Sequence, residues 1–181
     1  MAFHFRAATT EDIPAIRELI AASVRELQLE YSPTQREAAL ATIFTVDSRL
    51  IADGTYFVAY VEDGRLAGCG GWSKRKTLYG GDHQVEAIEP ELLDPAIDAA
   101  KIRAIFVHPN FARQGLGSLI LKMSEEAAYN AGFQHFEMGS TLTGVVLYKL
   151  KGYREVARID VPVRDGETIR VVRMVKDAVS E

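Results

Sequence analysis

Ile105-Phe-Val-His-Pro-Asn-Phe-Ala-Arg-Gln-Gly-Leu-Gly-Ser118 decides how the rest of the chain is read. An apolar strand ends at His108-Pro109, and a short basic turn bearing glycines then opens a helix. Arg113, Gln114, Gly115, Leu116, Gly117 and Ser118 fall where a helix leaves its first amide N–H groups without intrahelical acceptors. Those donors, together with the positive end of the helix dipole, suit an anionic phosphate. Gly115 and Gly117 carry no Cβ, so a bulky anion can approach the main chain and the turn can take unusual dihedrals. The chemistry implied is a pyrophosphate gripped by backbone.

Two phosphate-binding motifs fit poorly. A Walker loop needs Gly-Lys-Ser/Thr at the helix start, where this chain has Gly115-Leu116-Gly117-Ser118. A dinucleotide fingerprint needs a third glycine at position 120, which is Ile120, and belongs near the first strand of a βαβ unit. A nucleotide-binding protein is therefore disfavoured. The segment instead resembles the acyl-CoA-binding motif of the GNAT superfamily of N-acetyltransferases. In that motif a strand ending in Val-x-Pro leads into Arg/Gln-x-x-Gly-x-Gly/Ala at the start of a long helix. The resemblance covers nearly the whole chain. Phe5 to Ile16 is similar to the family's first strand and helix, and Gly144-Val-Val-Leu-Tyr-Lys-Leu-Lys-Gly-Tyr153 to its Ala-x-x-Phe/Leu-Tyr-x-x-x-Gly-Phe motif. The chain departs from the pattern at Ala112, with Arg113 one place later, at Thr141 in place of an asparagine, and at Gly144 in place of alanine.

The resemblance implies attack of a primary amine on the thioester of acetyl-CoA, used as cosubstrate, in a ternary complex. Arg113 to Ser118 would hold the pyrophosphate, the main chain of Phe106 and Val107 would pair with pantetheine, and Thr141 would lie near it. Tyr148 is the expected general acid, because a phenol with a reference pKa of about 10 is neutral near pH 7. The family's glutamate base does not carry over, since its place at the start of the fourth strand is Lys101, with Arg103 nearby. The base candidates are His83 and Glu86, with Asp82 beside them, or a water chain. Tyr31, Trp72, Tyr79 and the Gly80-Gly81 turn are expected to line an acceptor pocket, offering apolar faces and polar tips. His108 is read as shaping the cofactor turn, and His4 and His135 as ordinary strand positions. The competing reading, from a different class, is a non-catalytic acyl-CoA-binding or sensing module.

Composition sets the outer bounds. A chain of 181 residues, 48% of them hydrophobic, suits one globular domain spanning 1–181. With 21 Lys plus Arg against 25 Asp plus Glu, the net charge of −4 argues against a nucleic-acid-binding surface. The single Cys69 cannot form an internal disulfide and sits in the apolar run Leu66 to Trp72, so a buried small residue is expected rather than a nucleophile. No His/Cys/Asp/Glu spacing suggests a metal. Without a signal-peptide stretch or a bilayer-length run, no membrane association and a cytoplasmic location are the default. The acceptor is expected to be a small-molecule or peptide amine, and a homodimer is a family-level expectation only.

Periodicity supplies the elements. Phe3 to Ala7 reads as a strand, and Thr9 with Asp12 as a capping box before a helix whose Ile13, Ile16, Leu19, Ile20 and Val24 share a face. Ser32-Pro33-Thr34-Gln35 starts a second helix, expected to run to about Phe44. Strands at 55–61 and 65–72 flank Asp63-Gly64, and residues 74–100 form a long connection. A strand over 101–107, a helix ending near Gly132, a strand over 133–138, a short helix over 144–151 and a closing hairpin around Arg164-Asp165-Gly166 complete the chain. The fold class is mixed α/β. The resemblance implies a central twisted, mostly antiparallel sheet of six to seven strands with about four helices, in strand-helix-helix-strands-helix-strand-helix-strands order.

Overall fold

The computed structural model describes residues 2–79 and 91–178. The chain opens with strand β1 (His4–Ala7) and a 3-10 turn (Thr10–Asp12), where the Thr9 N–H donates to the Asp12 carboxylate at 2.8 Å. Helix α1 (Ile13–Leu27) follows and buries Ile16, Leu19, Ile20 and Val24 of the stripe expected at helical spacing, together with Ser23, while Ile13 is half-buried. Helix α2 (Pro33–Leu40) starts on a capping box: the Gln35 N–H donates to Ser32 Oγ, and Gln35 Oε1 accepts from the Ser32 N–H. It ends earlier than its sequence suggested. Thr42 Oγ1 bonds back to the Ala38 carbonyl, and the N–H groups of Ile43 and Phe44 both turn back to Ala39. A further short helix, α3 (Ser48–Ala52), is capped by Asp47, whose Oδ1 accepts from the Arg49 N–H at 3.1 Å.

Strands β2 (Tyr56–Tyr60), β3 (Leu66–Ser73) and β4 (Ala100–Val107) form an antiparallel run with β1. Helix α4 (Leu116–Asn130) precedes strand β5 (His135–Ser140), and helix α5 (Val145–Leu150) precedes the hairpin of β6 (Arg154–Pro162) and β7 (Thr168–Asp177). The described residues thus hold five helices and one seven-stranded sheet, ordered β1-β2-β3-β4-β5-β7-β6 and antiparallel except between β4 and β5.

Side-chain alternation divides the core between the two faces. Tyr56, Val58, Cys69 and Phe106 pack with α1, while Ala59, Ala67 and Val107 meet Leu116 and Ile120 of α4. A second α4-side cluster joins Trp72, Leu121, Phe133 and Met138. Helix α4 lies close on β3: a Cβ on Gly70 would stand 2.6 Å from Ile120 Cγ2 and 2.7 Å from Ile105 Cγ1. That approach sets the start of α4 against the end of β4.

The sheet consists of two halves held together at one corner. β4 pairs with β5 only at Ala100↔Phe136 and Lys101↔Glu137, although both strands continue. Beyond those pairs β4 stays with β3 and β5 stays with β7, which opens a wedge. At its apex the Glu137 carboxylate takes Lys101 Nζ at 2.7 Å and Arg173 Nη2 at 2.6 Å, joining three strands. Burial alone would raise the Glu137 pKa, but the two cations outweigh it and hold the carboxyl below its usual value.

Candidate active site

The wedge is a groove walled on one side by Ile102 to Phe106 of β4 and on the other by Met138 to Thr141 and Tyr148. Ile43, Phe44, Leu78, Tyr79 and Val171 close its other end.

β4 carries a bulge where it borders this groove. Cys69 pairs with Phe106 and Gly71 with Arg103, so Gly70 alone faces both Ala104 and Ile105. Ala104 takes φ +53, the left-handed conformation that a bulge of this type ordinarily assigns to glycine, at a cost on the order of 1 kcal/mol or more. The Tyr56 hydroxyl donates to the Ala104 carbonyl at 2.7 Å.

Register decides which main-chain groups face the groove. The His108 N–H donates to the Ala67 carbonyl at 2.8 Å, and Phe106 is the Cα partner of Cys69. Alternation therefore turns the backbone of Phe106 toward β3 and that of Val107 toward the open side. The sequence expectation gave both residues a backbone contact to cofactor. The register corrects this for Phe106, whose ring is buried against Phe44 at 6.1 Å between centroids.

At the mouth of the groove the chain turns through Pro109–Phe111, where His108 Nδ1 accepts from the Asn110 N–H at 3.1 Å, in keeping with a shaping role. Arg113 and Gly115 both have positive φ, +61 and +78, and Gly115 caps α4. Among the described residues, the N–H groups of Arg113, Gln114, Gly115, Leu116, Gly117 and Ser118 donate to no acceptor; the helix ladder begins with Leu119 bonding Gly115. Left-handed residues interleaved in such a run turn successive N–H groups to one side, the geometry of an anion-binding nest. The unusual dihedral falls on Gly115, where an added Cβ would meet nothing within 4 Å. Gly117 does not share that role: it lies inside the helix, and its Cβ would make ordinary contact with Leu147 at 3.6 Å.

Tyr148 stands on α5 across the wedge, its ring 6.1 Å from Tyr153 and half-buried. Its hydroxyl has no hydrogen-bond partner among the described residues, and burial pushes the phenol up to about 12. Thr141 sits beside it, with the Gly144 N–H donating to the Thr141 carbonyl at 3.1 Å and to its Oγ1 at 3.2 Å. Gly144 lets α5 begin against the ring, since a Cβ there would stand 2.7 Å from Tyr148 Cε2.

The expected acceptor-pocket residues separate. Tyr79 lines the groove. Tyr31 is 2% exposed, and its phenol donates to the Arg170 carbonyl at 2.6 Å and accepts from the Leu142 N–H at 3.1 Å. It joins elements instead of offering a polar tip. Trp72 stacks edge-on against Phe133 in the core under α4, because it points to the face away from α1. His83, Glu86, Asp82 and the Gly80-Gly81 turn lie outside the described residues.

No described residue of the groove is positioned as a free base. Arg103 is 3% exposed and bonds Asp47 Oδ2 at 3.1 Å and Thr77 Oγ1 at 3.0 Å. Lys101 is committed to Glu137. Cys69 is fully buried, and burial pushes its thiol up to about 12, so it is no nucleophile near neutral pH. Among the described residues, no group of three or more His, Cys, Asp or Glu is arranged to hold a metal, and no helix is long and apolar enough to cross a membrane.

The splayed β4/β5 pair thus leaves a groove with a donor-rich helix start at its mouth and a phenol on the facing wall. A family model described as the acetyltransferase (GNAT) family matches residues 17–150, and the chain belongs to that family. No curated protein matches the sequence. Among solved structures, the chain is similar to the GCN5-related N-acetyltransferase from Rhodopseudomonas palustris, with a TM-score of 0.71 at 19% identity over 98% of this chain and 96% of that one. It is also similar to the PaiA N-acetyltransferase from Thermoplasma acidophilum, solved in complex with coenzyme A, with a TM-score of 0.66 at 13% identity over 98% and 99% of the two chains. The ribosomal-protein-alanine N-acetyltransferase from Brucella melitensis gives 0.62 at 18% identity over 96% and 99%. At these identities the likeness is one of fold.

Proposed function

We propose that this protein transfers an acetyl group from acetyl-CoA to a primary amine by direct attack within a ternary complex. The observation that carries the reading is the run of six unpartnered N–H groups from Arg113 to Ser118, at the open end of the β4 edge. Charge-assisted bonds from such donors contribute roughly 1.5–3 kcal/mol each to holding a diphosphate. The pantetheine arm would run along β4 and meet the outward-facing main chain of Val107. This brings the thioester to the bulge, opposite Tyr148.

The neutral amine nitrogen attacks the thioester carbonyl carbon, and the oxygen gains negative charge that a backbone N–H of β4 stabilises. Collapse forms the amide C–N bond, breaks the C–S bond and releases the CoA thiolate. Full proton transfer from a phenol at about 12 to a thiolate whose acid lies near 8.5 is uphill by roughly 5 kcal/mol. Tyr148 therefore acts first as a hydrogen-bond donor to the leaving sulfur, and the proton lost by the amine balances the thiolate. That proton leaves through water or through His83 or Glu86 in the connection after Tyr79. The acceptor is a small-molecule or peptide amine.

Lys101 favours one alternative, because the position of the family's glutamate is filled by a cation locked to Glu137. In that reading the protein binds acyl-CoA without catalysis. One experiment separates the two: thermal melts with CoA, ATP and NAD, run beside thiol release from acetyl-CoA with amines, amino acids and peptides. Stabilisation by CoA with thiol release supports the enzyme, and stabilisation without release supports the binding module. Stabilisation by ATP or NAD and not by CoA overturns both.

A further inference from the structure

We propose that Tyr56 is a positioning residue for acyl transfer, its hydroxyl fixing the Ala104–Ile105 peptide so that the Ile105 N–H is presented to the thioester carbonyl. The inference rests on the acetyltransferase reading and names a residue that the family motifs do not contain.

The argument starts from peptide geometry. In a trans peptide the C=O of one residue and the N–H of the next point in opposite directions. Tyr56 lies on β2, on the far side of β3 from the groove, and its hydroxyl holds the Ala104 carbonyl at 2.7 Å. With that carbonyl turned toward β2, the N–H of Ile105 is turned the opposite way, toward β5 and the groove that Ala104 and Ile105 line.

The bulge itself does not depend on Tyr56. Arg103 and Phe106 both face the α1 side, and Ile102, Ile105 and Val107 the α4 side, so packing requires one extra residue between them. The Ala104–Ile105 peptide plane must also be held in one rotation. Turned over, the plane would aim the Ala104 carbonyl into the groove, where two oxygens would oppose each other at the reacting carbon. At φ +53 the Cβ of Ala104 confines it to the small left-handed well, whose cost of about 1–2 kcal/mol favours a return to negative φ unless a partner opposes it. The Tyr56 hydroxyl does, since it is buried where water cannot substitute for it.

The test is Tyr56→Phe, which keeps the ring in its core site and removes only the hydroxyl. Three quantities are read: kcat and KM by thiol release, CoA affinity by calorimetry, and the Ile105 amide resonance during titration with a ketone analogue of acetyl-CoA. In the wild type that resonance should move on analogue binding. In the variant the movement should be lost, kcat should fall by about ten- to a hundredfold, and CoA affinity should change by less than about threefold, because the pyrophosphate donors are untouched. Full kcat in the variant overturns the proposal. A joint loss of kcat, CoA affinity and melting temperature also overturns it, since that describes a merely structural tyrosine. If the variant does not fold, the wild-type titration decides, and an unmoved Ile105 amide refutes the assignment. A wild-type protein that binds the analogue but transfers no acetyl group to any amine fails the enzyme reading while leaving the Ile105 measurement intact. One that binds no CoA analogue removes both.

Discussion

Gly144→Ala is the most telling single substitution, because it installs the family's usual residue where this chain has no room for it. The new Cβ would stand 2.7 Å from Tyr148 Cε2 and 2.9 Å from Ser140 Oγ. Carbon atoms pack best at about 3.5–4.0 Å, so the Tyr148 ring must retreat by roughly 1 Å. The backbone raises no objection: Gly144 sits at φ −77 and ψ −17, a right-handed conformation open to any residue. Replacing glycine there stabilises by about 0.4–1 kcal/mol through the unfolded chain, while the overpacking costs about 1–3 kcal/mol. The net loss, up to about 2.6 kcal/mol, corresponds to a fall in Tm of at most roughly 10 °C for a chain of this size. Catalysis should suffer more, since a misplacement of about 1 Å can cost about a hundredfold in rate. Thiol release with a chromogenic disulfide suits the measurement, as the buried Cys69 adds no background in the folded protein. The expected result is kcat reduced by about ten- to a hundredfold with unchanged CoA affinity by calorimetry. An unchanged kcat, with the Tyr148 ring shown by crystallography to have moved, would refute the role given to this phenol.

Tyr148→Phe should lower kcat by roughly ten- to a thousandfold with little effect on CoA binding. Because the phenol stays neutral up to about pH 12, the kcat/KM profile of the wild type should show no falling limb from this residue below pH 10, and such a limb abolished by the substitution would contradict the assignment. Glu137→Gln strands Lys101 and Arg173 beside a neutral amide and should cost about 3–5 kcal/mol in urea unfolding at pH 7. The depressed Glu137 pKa contributes stability above the unfolded value of about 4.3 and loses it as pH falls through the folded value, so wild type and variant should converge as pH is lowered from about 4.3 through that lower folded value. Gly115→Ala forces a side chain onto φ +78 at about 1–2 kcal/mol and should weaken CoA binding at least about tenfold, measured by calorimetry. Unaltered affinity there would place the diphosphate elsewhere.

The features that read correctly from the sequence are those whose physics is local. The caps at Thr9 and Ser32, the apolar stripe of α1 and the turn at Gly115 are each decided by residues within about two helical turns. The short helix that carries Tyr148 was legible through its motif. What escaped depends on partners far along the chain. Lys101 looks from sequence like a missing base, yet its role is set by Glu137 and Arg173, which the strand order brings beside it. Trp72 and Tyr31 carry the same amphipathic signature as Tyr79, and only the sheet face or a remote carbonyl tells the three apart. The bulge at Ala104 has no sequence mark at all, since alanine occupies the place where glycine would have announced it.

The phenol of Tyr31 ties the segment between α1 and α2 to β7 and to the loop leading into α5. Displacement of that segment is thereby transmitted to the loop that leads into α5 and Tyr148. Substitutions that shift Tyr31 should consequently change turnover even though its phenol lies outside the groove. Variants that broaden the substrate range without slowing the enzyme should be found instead around Tyr79, on the wall that this linkage leaves alone.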